Sequence, residues 1–98
     1  MTIEIKRTGA DTVIEISGRL DTTTAPVLDK TIGEDISENT NLTLDLKGLE
    51  YISSAGLRVL LSAQKRIQKS GSMKLRNASE EVMDVFEMTG FADILEFV

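Results

Sequence analysis

The sequence contains no cysteine, no histidine, no tryptophan and a single proline. Without cysteine there is no disulfide framework, no thiolate nucleophile and no Cys/His zinc site, and without histidine there is no Ser-His-Asp triad. The side chain that most often serves as a base near neutral pH is missing, so an enzyme would have to be built from Asp, Glu, Lys and Ser. Positive charge is also in short supply. Eleven Lys and Arg stand against sixteen Asp and Glu, a net charge of −5, whereas nucleic-acid binding needs clustered cations to neutralise phosphates. One tyrosine and three phenylalanines offer no base-stacking platform. No apolar run approaches the ~18 residues of a membrane span, and the N-terminus shows no basic-then-apolar signal pattern. These absences together predict a cytoplasmic, non-catalytic chain that inserts in no membrane, contacts no nucleic acid directly, and carries no metal and no cofactor.

What remains is enough for a core. At 98 residues the chain is expected to be one domain over residues 1–98, and a chain this small buries roughly 60–70% of its unfolded surface, too little for a deep enclosed cleft. Thr2 to Arg7 alternate around Ile3 and Ile5, and Thr12 to Ser17 around Val13-Ile14 and Ile16. Thr8-Gly9-Ala10-Asp11 supplies turn residues between them, which predicts an N-terminal hairpin. Threonine followed by Pro26 in the first turn signals a helix start, and Ala25, Leu28, Ile32 and Ile36 form its apolar stripe. Leu42, Leu44 and Leu46 alternate as a half-buried strand, followed by a short loop. The helix after Ser54 then runs to about Lys69, with Lys65, Arg66 and Lys69 where cations suit its dipole and Gly71 as a left-handed stop. Met73 to Arg76 reads as a short strand. Ser79-Glu80-Glu81 opens a third helix that carries Val82, Val85 and Phe86, with Met83 and Met88 most simply gap-filling core residues, an exposed one serving an adaptable interface. Phe91, Ile94, Leu95 and Phe97 suggest a final turn packed on the body. Strands separated by helices require parallel neighbours with right-handed crossovers. The fold class is therefore α/β, a mixed β-sheet made of an N-terminal hairpin plus parallel strands and covered by α-helices. No glycine-rich nucleotide loop is present.

The change of period across Ser53-Ser54 is the most informative feature. A serine where a helix begins can cap exposed N–H groups with its hydroxyl. The same position suits a covalently attached phosphate, because free N–H groups and the positive end of the helix dipole both favour an anion. Arg58, four residues beyond Ser54, stands one turn further along the same face and can add a counter-charge. Asp21 and Asp45 read as groups that end strands and bond local backbone or orient the serine loop, and Thr22-Thr23-Thr24 as redundant caps.

Gly18-Arg19-Leu20-Asp21, Asp45-Leu46-Lys47-Gly48-Leu49 leading to Ser53-Ser54-Ala55-Gly56-Leu57, and Met88-Thr89-Gly90-Phe91 together resemble the STAS domain family, named for sulfate transporters and anti-sigma factor antagonists. The resemblance covers essentially the whole chain and is to the free-standing bacterial antagonists. In these the pattern is commonly Asp-Ser-Ser-Gly-Leu and its first serine is phosphorylated. Aligned on Gly56-Leu57, that serine is Ser54; Ser53 stands where the aspartate often is, which leaves it as a competing acceptor, and Ala55 replaces the second serine. The resemblance implies that the unphosphorylated protein binds an anti-sigma factor, often itself a serine kinase, and so frees a sigma factor. Phosphorylation abolishes that binding and a serine phosphatase restores it. Asp21, Thr22, Thr23, Ser53, Ser54, Ala55, Gly56 and Arg58 are the expected partner surface. A second reading is a constitutive accessory subunit, like the STAS proteins that clamp the ATPase of a lipid-transport ABC complex, with the same helix face and no phosphorylation. An enzyme, such as a weak nucleotide hydrolase, is the third class.

Overall fold

One face of a four-stranded sheet carries the core, and the reason lies in the direction of its crossovers. The computed structural model describes residues 1–9 and 11–98. Strands β1 (Thr2–Thr8), β2 (Asp11–Leu20), β3 (Asn41–Ile52) and β4 (Ser72–Arg76) lie in the order β1-β2-β3-β4. The β1–β2 pair is antiparallel, and β2–β3 and β3–β4 are parallel. Helices α1 (Ala25–Asp35) and α2 (Ser54–Ile67) make the two crossovers, and α3 (Glu80–Thr89) leads to a 3-10 turn at Phe91–Asp93. Two right-handed crossovers that step in the same direction across a sheet must place their helices on the same side. Ile14 and Ile16 of β2, Leu42, Leu44 and Leu46 of β3, and Met73 and Leu75 of β4 accordingly form one cluster with Leu28 and Ile32 of α1, Leu57, Leu60 and Ile67 of α2, and Val82 and Phe86 of α3. Residues of the other parity, including Glu4, Glu15, Thr43, Lys74 and Arg76, make a polar face that no helix covers.

The hairpin forms as expected, with Ala10 of its turn outside the described residues. Three expectations are corrected. The segment after Leu46 is not a loop, because β3 continues to Ile52. Its pairing with β2 shifts register between Glu15 and Ser17 and again between Gly18 and Arg19. Each shift inserts a residue on β3, so the buried positions step from every second residue to every third, Leu46, Leu49, Ile52. Gly48 sits at the first irregularity, where a Cβ would lie 2.6 Å from the Cβ of Ser17. Secondly, α2 ends at Ile67 and Gly71 is not left-handed. It is glycine because a Cβ there would run into the carbonyl oxygens of Thr40 and Glu38, while its N–H donates to Ile67 O at 2.8 Å. Thirdly, Met88 is 87% exposed. It lies on the face of α3 opposite to Phe86, about 200° round the helix, whereas Met83 does pack on the core.

Longer-range polar contacts fix the layers. Arg66 reaches off its own helix to donate to Ile32 O (2.7 Å) and Ile36 O (2.9 Å), satisfying the last carbonyls of α1. Asp45 is buried mid-strand rather than at a strand end. Its Oδ1 accepts from Lys47 N (3.0 Å) and Asn77 Nδ2 (3.2 Å), and its Oδ2 accepts from Arg76 Nε (3.2 Å). Asp45 pairs with Glu15 and Ile52 with Leu20, five residues further along β2 or about 17 Å at ~3.3 Å each, so Asp45 clasps β3 to the end of β4 and does not orient the serines. Burial pushes its carboxyl up, but the Lys47 N–H, the Asn77 amide and the Arg76 guanidinium outweigh this and hold it below the ordinary carboxylate value.

Two outcomes follow from this packing. Gly71→Ala should lower stability by about 1–3 kcal/mol, read as a drop in Tm by circular dichroism, because backbone oxygens rather than pliable side chains block the new methyl. Asp45 has a folded-state pKa below its unfolded value, so its contribution is complete above about pH 4 and is lost as pH falls through the folded pKa. Asp45→Asn should therefore cost about 1–3 kcal/mol at pH 7 and flatten the fall of stability in urea titrations below about pH 4.

Candidate functional site

At the C-terminal end of the parallel strands, β2 and β3 come back into step. Arg19 pairs with Tyr51 and Leu20 with Ile52, and the next N–H, that of Ser53, donates to Leu20 O at 2.9 Å. The start of α2 is thereby locked to the end of β2. Gly56 completes the joint: a Cβ there would lie 2.8 Å from Cγ of Leu20 and 2.9 Å from Cγ1 of Ile52, so only glycine lets the first turn of the helix settle onto these two core residues.

The two serines divide the roles that the sequence left together at one residue. Ser53, not Ser54, is the cap. Its backbone is extended (φ −97°, ψ 174°), its Oγ accepts from Gly56 N at 3.3 Å, and its carbonyl accepts the first helical bond from Leu57 N. Ser54 is the first helical residue and is exposed. Among the described residues its hydroxyl has no hydrogen-bond partner, and neither its N–H nor that of Ala55 has a protein acceptor. Two free N–H groups at the positive end of a fourteen-residue helix with no acidic residue in its first turn make an environment that tolerates an added anion. Arg58 is exposed on the same helix and makes no ion pair among the described residues.

Asp21 lies at this same edge, one residue beyond Leu20. The carboxylate organises the turn into α1, with Oδ1 accepting from Thr23 N (3.0 Å), Thr24 N (3.1 Å) and Thr23 Oγ1 (2.8 Å). Hydrogen bonds from the Thr23 hydroxyl and the Thr24 N–H hold its carboxyl below the ordinary range. Thr24 does not cap α1 with its side chain. Its Oγ1 accepts from Asp21 N and donates back to Arg19 O, both at 2.8 Å, because Asp21 already occupies the N–H groups of the turn. Of the three threonines only Thr22 forms no such bond. Thr22 stands with Pro26 and Asp29 of α1 across from Ala55, Arg58 and Ser62 of α2, along an open groove of about 310 Å³. Asp21, Thr22, Thr23, Ser53, Ser54, Ala55 and Arg58 therefore gather at one end of the molecule, while Gly56 is buried beneath them as a packing residue.

Sequence reasoning missed Arg19 and Tyr51. Strand pairing sets them side by side, the Arg19 guanidinium 4.2 Å from the centre of the Tyr51 ring and its Nε 3.8 Å from Asp21 Oδ2, with Tyr51 41% exposed. An aromatic–arginine pair presented to solvent is the kind of anchor that protein partners use. The alternation of β2 hinted at Arg19 as exposed, but only the bulged register could place Tyr51 next to it. A concavity of about 510 Å³ lies elsewhere, on the uncovered sheet face over Glu4, Glu15 and Asp45; its position against the polar flank of the sheet separates it from the serines.

Capping and acceptor roles separate by mutation. Ser53→Ala should cost about 1 kcal/mol of stability through loss of the cap, whereas Ser54→Ala should change it by less than about 0.5 kcal/mol, both read by chemical denaturation.

The STAS domain family profile matches residues 2–98. The chain is 33% identical over 95 residues, 96% of its length and 87% of the relative's, to the anti-sigma-B factor antagonist of Bacillus subtilis. It superposes on the crystal structure of an anti-sigma factor antagonist from Mycobacterium paratuberculosis with a TM-score of 0.87 at 23% identity, covering 98% of this chain and 83% of that one. The phosphorylated form of the Bacillus cell fate determinant SpoIIAA has a TM-score of 0.75 at 19% identity, over 99% of this chain and 91% of that one. With a profile match across nearly every residue, and with the hairpin, the parallel crossovers and the serine-led helix in place, the chain belongs to the STAS domain family.

Proposed function

We propose that this chain is an anti-sigma factor antagonist, that in its unphosphorylated form it binds an anti-sigma factor with kinase activity and so releases a sigma factor, and that phosphorylation of Ser54 switches the binding off. The observation that carries the reading is the unequal state of the two serines: Ser53 Oγ is engaged as the cap, while Ser54 Oγ is exposed and unbonded at the helix N-terminus. A kinase can reach the Ser54 hydroxyl without dismantling the cap. That inequality supports Ser54 over Ser53 as the acceptor, since modifying Ser53 would remove the bond to Gly56 N.

A phosphoserine adds about −1.5 to −2 charge at pH 7. On Ser54 the unpaired N–H groups of Ser54 and Ala55, the helix dipole and the Arg58 guanidinium offset it, so the domain itself keeps its fold. A partner seated over the Asp21–Thr23 turn, the Thr22–Arg58 groove and the Arg19–Tyr51 pair would have to bury that charge, at a cost of several kcal/mol. The switch thus acts on the surface and leaves the core unchanged. A serine phosphatase resets it by restoring the hydroxyl.

The reading predicts a specific pattern in affinity capture from the source organism, with partners identified by mass spectrometry. Wild type and Ser54→Ala recover an anti-sigma factor or serine kinase, and Ser54→Asp loses it by about 100-fold or more. Recovery of a transporter ATPase by all three baits would instead mean a constitutive accessory subunit and would end the phosphoserine argument.

A further inference from the structure

The two edges of the sheet are treated differently. The outer edge of β4 is partly closed by the chain's own end, where Leu75 N donates to Glu96 O and Val98 N donates to Leu75 O, both at 2.9 Å. The outer edge of β1 has nothing along it among the described residues, and bare edges are templates for another strand. On the uncovered face of β1, Glu4 stands directly opposite Glu15 of β2. Lys6 is drawn to Glu15 at 3.3 Å and Lys47 lines the same concavity, yet among the described residues the Glu4 carboxylate, beside a like charge, forms no ion pair.

We propose that β1 is a self-pairing edge, and that its occupant is β1 of a second copy of this chain, antiparallel about a twofold axis through Ile5. β1 has seven residues, Thr2 to Thr8, with Ile5 at the centre. The one antiparallel register that pairs all seven sets Thr2 against Thr8, Ile3 against Arg7 and Glu4 against Lys6 of the other copy, with Ile5 against its own twin. Both unneutralised Glu4 carboxylates then face a Lys6 ammonium, and the half-buried Ile5 side chains meet on the helix-covered side. A slip of two residues in either direction puts Glu4 on Glu4 or Lys6 on Lys6 at the axis, so charge specifies the register as well as favouring the contact. Such an interface is isologous and closes at two copies, joining two four-stranded sheets into one. The antiparallel arrangement sends the two Ser54 sites to opposite ends of the joined sheet, free of the seam.

Strand pairing alone buries less than the ~1,000 Å² of a stable complex, so the dimer is weak and concentration-dependent. Sedimentation velocity of the full chain at low salt, from about 10 µM to about 1 mM, spans the affinities expected of such a contact. Wild type should shift from monomer to dimer across that range. E4K and K6E should each weaken association by about 10-fold or more, since each turns two attractive cross-strand pairs into repulsive ones. An equimolar mixture of E4K and K6E should regain wild-type association, because every cross-copy pair is again opposite in sign. Both residues are exposed, and E4K replaces a like-charge pair with Glu15 by an opposite one, so folding of that variant is secure. A wild type that stays monomeric at about 1 mM, variants that associate as tightly as wild type, or a mixture no better than its components would each overturn the proposal.

Discussion

The bulged pairing of β2 with β3 is the constraint on which the rest of the molecule depends. Two extra residues on β3 are absorbed between Glu15 and Arg19, after which the strands are back in step at Leu20 and Ile52. Because of that recovery the N–H of Ser53 meets Leu20 O, and Gly56 meets the side chains of Leu20 and Ile52. The Asp21 turn leaves from the same point on one side and helix α2 from the same point on the other. A bulge re-aims a strand end while leaving its core side chains buried, and here it brings two segments thirty residues apart to one surface.

Above that joint the polar groups are divided between holding and presenting. Ser53, Asp21 and Thr24 have their oxygens committed to backbone N–H groups within a few residues, so they fix the shape of the surface. Among the described residues Ser54, Thr22 and Arg58 have no side-chain polar partner. A switch needs this division. If the modified hydroxyl were also the cap, adding a phosphate would loosen the helix that presents it. With the cap one residue earlier, a phosphate on Ser54 would change the charge at the surface and leave the scaffold beneath it in place. The phosphorylated form of SpoIIAA shares this fold over 91% of its length.

The sheet adds a second asymmetry. All helices lie on one side, so the opposite face has to be made compatible with water by its own side chains, and Asp45 with Arg76 and Asn77 does this at the β3–β4 end. At the β1 end the balance is incomplete. Glu4 and Glu15 face each other, Lys6 pairs with Glu15 alone, and the adjoining edge is uncovered among the described residues. Local charge frustration beside an open edge is relieved by an outside strand of matching pattern, and the chain's own β1 has that pattern.

Most of the architecture was legible in the residues. Alternation around Ile3, Ile14, Leu42 and Met73 marks four strands, helical spacing marks three helices, and the strand-helix-strand order forces parallel pairing, because each of these signals is local to a few residues. The local chemistry at Ser53-Ser54 was legible too: a period change, small polar residues and a following apolar stripe can only begin a helix. What the sequence could not decide needed partners from elsewhere in the chain. The loop expected after Leu46 is strand because β2 supplies a bulged register that no local pattern encodes. Gly71 is glycine because the Thr40 and Glu38 carbonyls leave no room for a Cβ, and Met88 is exposed because it stands on the face of α3 opposite to Phe86. Which serine caps and which stays free was settled by the Leu20 O–Ser53 N bond. Periodicity is a property of neighbours along the chain, whereas register, close approach and the choice of a free hydroxyl depend on atoms brought together only by the fold.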